Sequence, residues 1–411
     1  MHATDRIDAE TYHRDIVPGL LAGTRGTLAA AGLAGLDPLT LVVGDAAWTY
    51  RADDGRLRVE PADGESGARD TGTGTAASPD AGKGSVCVLS PDAWTDFVTQ
   101  LRTAAALAIA GDVEVRRGTV LDLFAWEPAL RALYQGIPIY RSTGPTVTDG
   151  AGRPVDLERA WTLGDTDADL AAFFEATGVM RVRGVFTAEE IAAFNAEVDR
   201  LADLARTDDG RSWWAAAEDG TDILCRMVYA NDHSPLIAGL ARDPRLLRLS
   251  GLLHPDLAAC TDRMEGISVL LKPPGRLKGL ANIPWHTDCG LGGHQLRCPA
   301  VAVGIQLTGS SPENGCLEAI AGTHGKTCPA PEKDDLAGLP HMSVPTDPGD
   351  VTVHIADVLH ASPPPTGTGG RRTMYVTFYP PSLFETVGKG LAANDLIRSR
   401  SASELDASLG R

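Results

Sequence analysis

The chain has 411 residues, with 54 acidic against 37 basic side chains and a net charge of −17. That length accommodates two or three domains and a large buried core. The acidity excludes a phosphate-neutralising nucleic-acid surface and docking on an anionic membrane, so neither partner is expected.

Seven cysteines contain no C-x-x-C pair, and the N-terminus "MHATDRIDAETYHRD" has no basic region followed by an apolar run. No apolar stretch approaches the ~18 residues of a membrane-spanning helix. A reduced, cytoplasmic protein is the expectation.

In chain order, "LTLVVGDAAWTYRADDGRLRVEP" predicts strands joined by an Asp-Asp-Gly turn. The stretch 61–85, rich in Gly, Ala, Ser, Thr and Asp, predicts a mobile loop. A strand and a helix follow, with Ser90 as N-cap and Pro91 at the first helical position. "DVEVRRGTVLDLFAWEPALRALYQG" adds a short strand and another helix. Over roughly 15–138 this order of elements resembles the sterol-carrier-protein-like fold, which implies an apolar groove; an α+β unit serving packing or dimerisation is the other reading. The polar stretch 139–157 reads as a linker.

Beyond it come a helix, a strand at Val179–Val182 and a longer helix. Thr187 and Glu190 have capping-box spacing there, with Phe186 and Ile191 as hydrophobic staple. Ile191, Phe194, Val198, Leu201 and Leu204 recur at helical spacing and predict one buried face. From 265 onward short apolar runs separated by turns predict a β-sandwich or barrel. The fold class expected is therefore α+β: an accessory domain over 1–138, a linker over 139–157, a β-rich domain with flanking helices over 158–395, and a tail over 396–411.

"PWHTDCGLGGH", residues 284–294, raises the question of a metal site. The H-x-D triplet occurs three times, at His13, His254 and His286, so alone it carries little. In an extended segment, however, His286 and Asp288 share one face while Trp285 and Thr287 take the other. Iron(II) sites of the two-His-one-carboxylate type need such a pair plus a second His from elsewhere. Downstream, "PGDVTVHIADVLHASPPPTGTGGRRTMYVTFYPP" supplies His360 and, eleven residues later, Arg371. Arg371 shares a strand face with Thr373, Tyr375 and Thr377, opposite the apolar face of Met374, Val376 and Phe378. A buried guanidinium needs a carboxylate partner, which the dianion 2-oxoglutarate would supply.

Taken with "LLKPPG" and "ENGCLEAIAGTHG", these segments resemble, from about 160 to 385, the phytanoyl-CoA dioxygenase family of iron(II)/2-oxoglutarate oxygenases. The resemblance implies a double-stranded β-helix (jelly-roll) core, with His286, Asp288 and His360 as iron ligands. It implies Arg371 and Ser362 as binders of 2-oxoglutarate, and Lys272 near the site, a surface lysine being its other reading. Iron(II), 2-oxoglutarate and O2 are the implied cofactors and cosubstrates, with ascorbate as a stimulant. The implied reaction is hydroxylation of an unactivated C–H bond, with succinate and CO2 released. Because halogenating relatives replace the carboxylate, Asp288 implies hydroxylation, desaturation or ring formation.

His354 and His324 are expected to be structural, and Cys289 to face away from the metal. Arg226, Trp285 and His294 are the candidates for contact with a small-molecule substrate, lipophilic or a secondary metabolite. Trp213 and Trp214 are expected to cap a core. A non-catalytic lipid-binding protein on the same scaffold is the alternative from another class, and a zinc hydrolase a third. The sequence leaves the oligomeric state open.

Overall fold

The structure is a computed structural model; it describes residues 6–62, 83–217, 220–273, 277–278, 283–289, 298–367 and 369–387. Most of the glycine-rich stretch expected to be mobile, His294 and the expected tail 396–411 lie outside these residues.

The N-terminal unit begins with a helical run, 9–30, that includes a π-helical turn at Tyr12–Ile16. Strands β1 (Leu39–Val43), β2 (Ala46–Asp53), β3 (Arg56–Pro61), β4 (Ser85–Leu89) and β5 (Val113–Arg117) form one sheet in the order β3-β2-β1-β4-β5. β1 and β4 run parallel, and the other pairs run antiparallel. Asp54 and Gly55 both take positive φ (48° and 72°), the backbone that a two-residue hairpin turn demands. Ser90 caps helix Pro91–Val98 by accepting from Ala93 N, and Pro91 begins it. With helix Val120–Gln135, these elements close over a core that includes Trp94, Trp126, Tyr50 and Tyr134.

The C-terminal unit is a sandwich of two mainly antiparallel sheets flanked by helices. Its strands are β6 (Trp161–Thr162), β7 (Val179–Arg183), β8 (Ser212–Ala217), β9 (Asp222–Met227), β10 (Ala258–Ala259), β11 (Ser268–Lys272) and β12 (Leu277–Lys278). They continue with β13 (Ile283–His286), β14 (Val301–Gln306), β15 (Leu317–Ile320), β16 (His341–Val344), β17 (Val351–Ile355), β18 (His360–Ser362) and β19 (Arg371–Tyr379). Among the described residues the major sheet runs β12-β8-β9-β11-β19-β14-β17-β7-β6, with β10 also on β19; the minor sheet runs β13-β18-β15-β16. This is the jelly-roll core with flanking helices expected of the region.

Alternation along the major sheet decides where the site lies. Val303, Val353 and Val376 stand side by side by register and belong to the main apolar core. Helix Ala188–Leu204 packs on that side: Asn195 donates to Leu307 O at 3.0 Å, and Arg372 donates to Asp199 at 2.7 Å. The opposite, sandwich-facing side of β19 carries Arg371, Thr373 and Tyr375. The helix forms the predicted capping box, with Thr187 and Glu190 satisfying each other's backbone N–H groups. Its buried face ends one turn early: Leu204, predicted to be buried, is 54% exposed because it is the last helical residue, past the end of the core.

The stretch 139–157 does not hang free. Ile139 bridges to Thr327, and Val147, Val155 and Leu157 pack on the C-terminal core. All seven cysteines are free thiols. No described helix is long and apolar enough to cross a membrane.

Candidate active site

β13 and β18 pair so that His286 stands directly opposite His360, with ring centroids 4.2 Å apart. Asp288 lies just past the end of β13, where its backbone N–H donates to Ala356 O at 2.9 Å. One ligand atom from each of the three side chains lies within 4.8 Å of the other two. Asp288 Oδ1 is 3.4 Å from His286 Nε2 and 3.5 Å from His360 Nε2, beyond the usual hydrogen-bond range but close enough for one ion to serve all three.

The tautomers suit a metal. His286 Nδ1 lies 2.8 Å from Pro284 O, and His360 Nδ1 lies 3.0 Å from Val358 O. A carbonyl can only accept, so each Nδ1 carries the hydrogen and each neutral ring presents its Nε2 lone pair. Burial and the neighbouring His360 lower the basicity of His286. Burial alone would raise the Asp288 carboxyl, but His360, His286 and His354 hold it well below the usual carboxylate range. Burial likewise opposes a charge on His360, yet the Asp288 carboxylate raises its pKa.

His354, expected to be structural, donates from Nε2 to Asp288 Oδ2 at 3.2 Å. It therefore engages the carboxylate oxygen that faces away from His286 and His360. Sequence spacing gave no sign of this contact, because His354 reaches Asp288 from β17, a strand of the other sheet.

The second half of the site is cationic. Arg371 and Lys272 stand opposite each other in the β11–β19 ladder, 1% and 2% exposed. Lys272 is not a surface residue. Arg371 donates to Thr373 Oγ1 (3.0 Å), Gly315 O (2.6 Å), Ser362 Oγ (2.9 Å) and Tyr375 Oη (3.0 Å). Ser362 Oγ donates its own hydrogen to Gly315 O at 2.9 Å. Lys272 Nζ donates to Ser362 O and Pro363 O at 2.6 and 2.7 Å, and burial together with Arg371 pushes its pKa down to about 7. Among the described residues no carboxylate lies within ion-pair distance of either cation. Like charges facing each other in a ladder are unfavourable, so the pair is built to receive an anion.

Two glycines make the space. A Cβ on Gly304 would lie 2.8 Å from the Tyr375 ring, and one on Gly315 would lie 2.2 Å from Pro363 O. Tyr375, with its hydroxyl on Arg371, is a site residue that the sequence showed only as a strand neighbour.

The other candidates are placed elsewhere. Arg226 faces the same sandwich interior but is ion-paired with Glu265 and lies over the Trp213 ring, so its charge is already matched. Trp213 is buried against Ala215, Cys225 and Val228. Trp285 points away from His286 and meets His341 edge to face, with centroids 6.0 Å apart. Cys289 is buried in a small apolar cluster behind Asp288.

The donor set fits iron(II): two imidazoles and a carboxylate on one side leave positions for an anionic chelator, and Arg371 and Lys272, unpaired with any described carboxylate, lie in the same sandwich.

Residues 174–373 match the family model for phytanoyl-CoA dioxygenase (PhyH), so this stretch is a PhyH family domain. An ectoine dioxygenase of Bordetella parapertussis is 26% identical over 164 residues, 38% of this chain and 49% of that protein. An ectoine dioxygenase of Stutzerimonas stutzeri is 29% identical over 177 residues, 41% of this chain and 53% of that protein. The chain thus spans about half the length of the curated relatives it matches. Among solved structures, EctD from S. alaskensis with 2-oxoglutarate and 5-hydroxyectoine is 21% identical with a TM-score of 0.43, covering 58% of this chain and 87% of that one.

Proposed function

We propose that this chain is an iron(II)- and 2-oxoglutarate-dependent oxygenase that hydroxylates a C–H bond of a small molecule, with O2 consumed and succinate and CO2 released. One observation carries the reading: a two-His-one-Asp set and two buried cations, without a carboxylate partner among the described residues, face the same sandwich interior. A zinc hydrolase would account for the first feature but has no use for the second.

His286, Asp288 and His360 would hold the iron, whose chemistry there, with 2-oxoglutarate bound, would be activation of O2, the oxidant for C–H cleavage. His354 fixes the Asp288 carboxylate through its outer oxygen. Arg371 and Ser362 take the distal carboxylate of 2-oxoglutarate. Tyr375 accepts from Arg371, which leaves its O–H free to donate to the same anion. Lys272 has two of its three hydrogens on carbonyls and one left for the ligand. Retention of Asp288 favours hydroxylation, desaturation or ring formation. The curated relatives make ectoine the first substrate to assay. The N-terminal unit, over 1–138, is proposed as a separate accessory domain; its hydrophobic cluster shares no residue with the main C-terminal core.

Anaerobic addition of iron(II) and 2-oxoglutarate should give a visible charge-transfer band that is lost in His286→Ala. In air, succinate should form in the presence of substrate. No band, and no succinate with any candidate substrate, would refute the proposal.

A further inference from the structure

We infer that the N-terminal unit is a positioning element of the active site, bracing the wall behind Asp288 with Leu101 and the wall behind His360 with Arg131. The inference rests on the oxygenase reading above.

The first contact starts from a strained turn. Helix Pro91–Val98 ends with Leu101 N donating to Asp96 O at 2.8 Å, which requires Gln100 to take a left-handed backbone, φ 61°. A residue with a side chain is disfavoured in that conformation, and such strain persists only where the surroundings over-determine it. The turn's effect is to point Leu101 out of its own unit. Leu101 is absent from the N-terminal core and is instead buried with Cys289, Cys298, Ala356 and Tyr379 of the C-terminal unit. Cys289 follows Asp288 in the chain, and Ala356 O accepts from Asp288 N. Leu101 therefore fills the space behind the segment on which Asp288 is mounted.

The second contact comes from helix Val120–Gln135. Arg131, buried, donates across the boundary to Thr327 Oγ1 at 2.8 Å. It lies in the field of Glu127 on its own helix and of Asp357 on the far side. Asp357 stands three residues before His360. In the turn that precedes Thr327, Thr323 Oγ1 accepts from Leu359 N at 2.9 Å, one residue before His360. Thr327 is further tied to the end of the N-terminal unit, donating to Pro138 O and accepting from Tyr140 N.

Neither Leu101 nor Arg131 touches a ligand atom, so both act through the backbone that carries the ligands. Supporting residues of this kind change metal affinity by roughly 10- to 100-fold when removed. The site tolerates little looseness, because its three donors come from two segments 72 residues apart in the chain, His286–Asp288 and His360, with Asp288 just beyond a strand end.

The test uses the full chain and cobalt(II), whose visible d–d bands report ligand geometry without turnover. Leu101→Ala and Arg131→Met should weaken cobalt(II) binding by roughly 10- to 100-fold and shift the bands at a temperature well below unfolding. Leu101→Ile should restore both. Leu57→Ala, in the N-terminal core away from the boundary, should lower the melting temperature while leaving affinity and bands unchanged. If the two boundary variants melt earlier but bind cobalt(II) with wild-type affinity and spectrum, the contact is structural only and the inference is overturned. If the wild-type protein takes up neither cobalt(II) nor iron(II), the oxygenase reading itself fails and this inference falls with it.

Discussion

Replacing Arg371 by Met separates a residue that holds the fold from one that awaits a ligand. The guanidinium is 1% exposed, makes hydrogen bonds to four neutral acceptors and faces Lys272 across the ladder. Losing those bonds costs about 1.5–3 kcal/mol for each acceptor left unsatisfied. Removing a buried cation without a counter-ion returns several kcal/mol. The two effects oppose each other, so the ligand-free variant should melt lower by about 2–4 °C per net kcal/mol, less than the lost bonds alone would give. Binding is different, because truncating one partner of a buried, hydrogen-bonded charge pair costs roughly 2–5 kcal/mol. The Kd for 2-oxoglutarate should therefore rise from about 30-fold to several-thousand-fold. At a concentration of 100 times the wild-type Kd, the ligand stabilises wild type by about 2.7 kcal/mol and the variant by less than about 1 kcal/mol. Anaerobic thermal shift with manganese(II), with and without 2-oxoglutarate, measures both quantities. A ligand-free variant that melts far below wild type while keeping the full 2-oxoglutarate shift would refute the reasoning.

Three further outcomes are expected. Gly315→Ala places a Cβ 2.2 Å from Pro363 O at φ +74°; backbone strain and overlap together should cost about 2–4 kcal/mol, and denaturant titration showing under 1 kcal/mol would count against it. Lys272, with its pKa pushed down to about 7 by burial and Arg371, is mostly neutral at pH 8. A bound dianion favours its charged form, so 2-oxoglutarate binding at pH 8 should take up close to one proton and weaken as pH rises. Calorimetry in buffers of different ionisation enthalpy reads that uptake, and the same uptake in Lys272→Met would assign it elsewhere. In the N-terminal core, burial pushes the His13 pKa down to about 4, below its unfolded value near 6.5. Between those values the unfolded chain binds the proton first. This contribution is therefore complete above pH 6.5 and lost as pH falls, by about 1.4 kcal/mol per unit and about 3 kcal/mol in all. Urea midpoints between pH 7 and pH 4 should show a shallower slope for His13→Gln than for wild type, and equal slopes would disprove the assignment.

Local pattern in the sequence reached a good deal of this protein. The caps at Ser90 and Thr187, the Asp-Asp-Gly turn and the alternation along β19 depend on neighbours within a few residues, and the structure shows each of them. The spacing of His286, Asp288, His360, Ser362 and Arg371 was also visible, since each lies on or next to a strand whose period fixes the side chain's direction.

Tertiary structure gives the physical reason the three H-x-D triplets differ, the one at His286 having already been singled out in the sequence by its downstream segments. His13 sits in a π-helical turn, where residues two apart diverge. Its ring stacks between Trp48 and Trp94, while Asp15 pairs with Arg14 on the surface. His254 lies exposed outside any helix or strand. His286 alone is on a strand whose neighbour carries a second histidine in register. Four further features depended on which strands and units come together: the hold of His354 on Asp288, the burial of Lys272 opposite Arg371, the pairing of Arg226 with Glu265, and the reach of Leu101 and Arg131 across the boundary. A sequence specifies the face a side chain takes on its own element. What stands opposite that face is set by sheet order and packing, and there the site acquires its charge balance and its support.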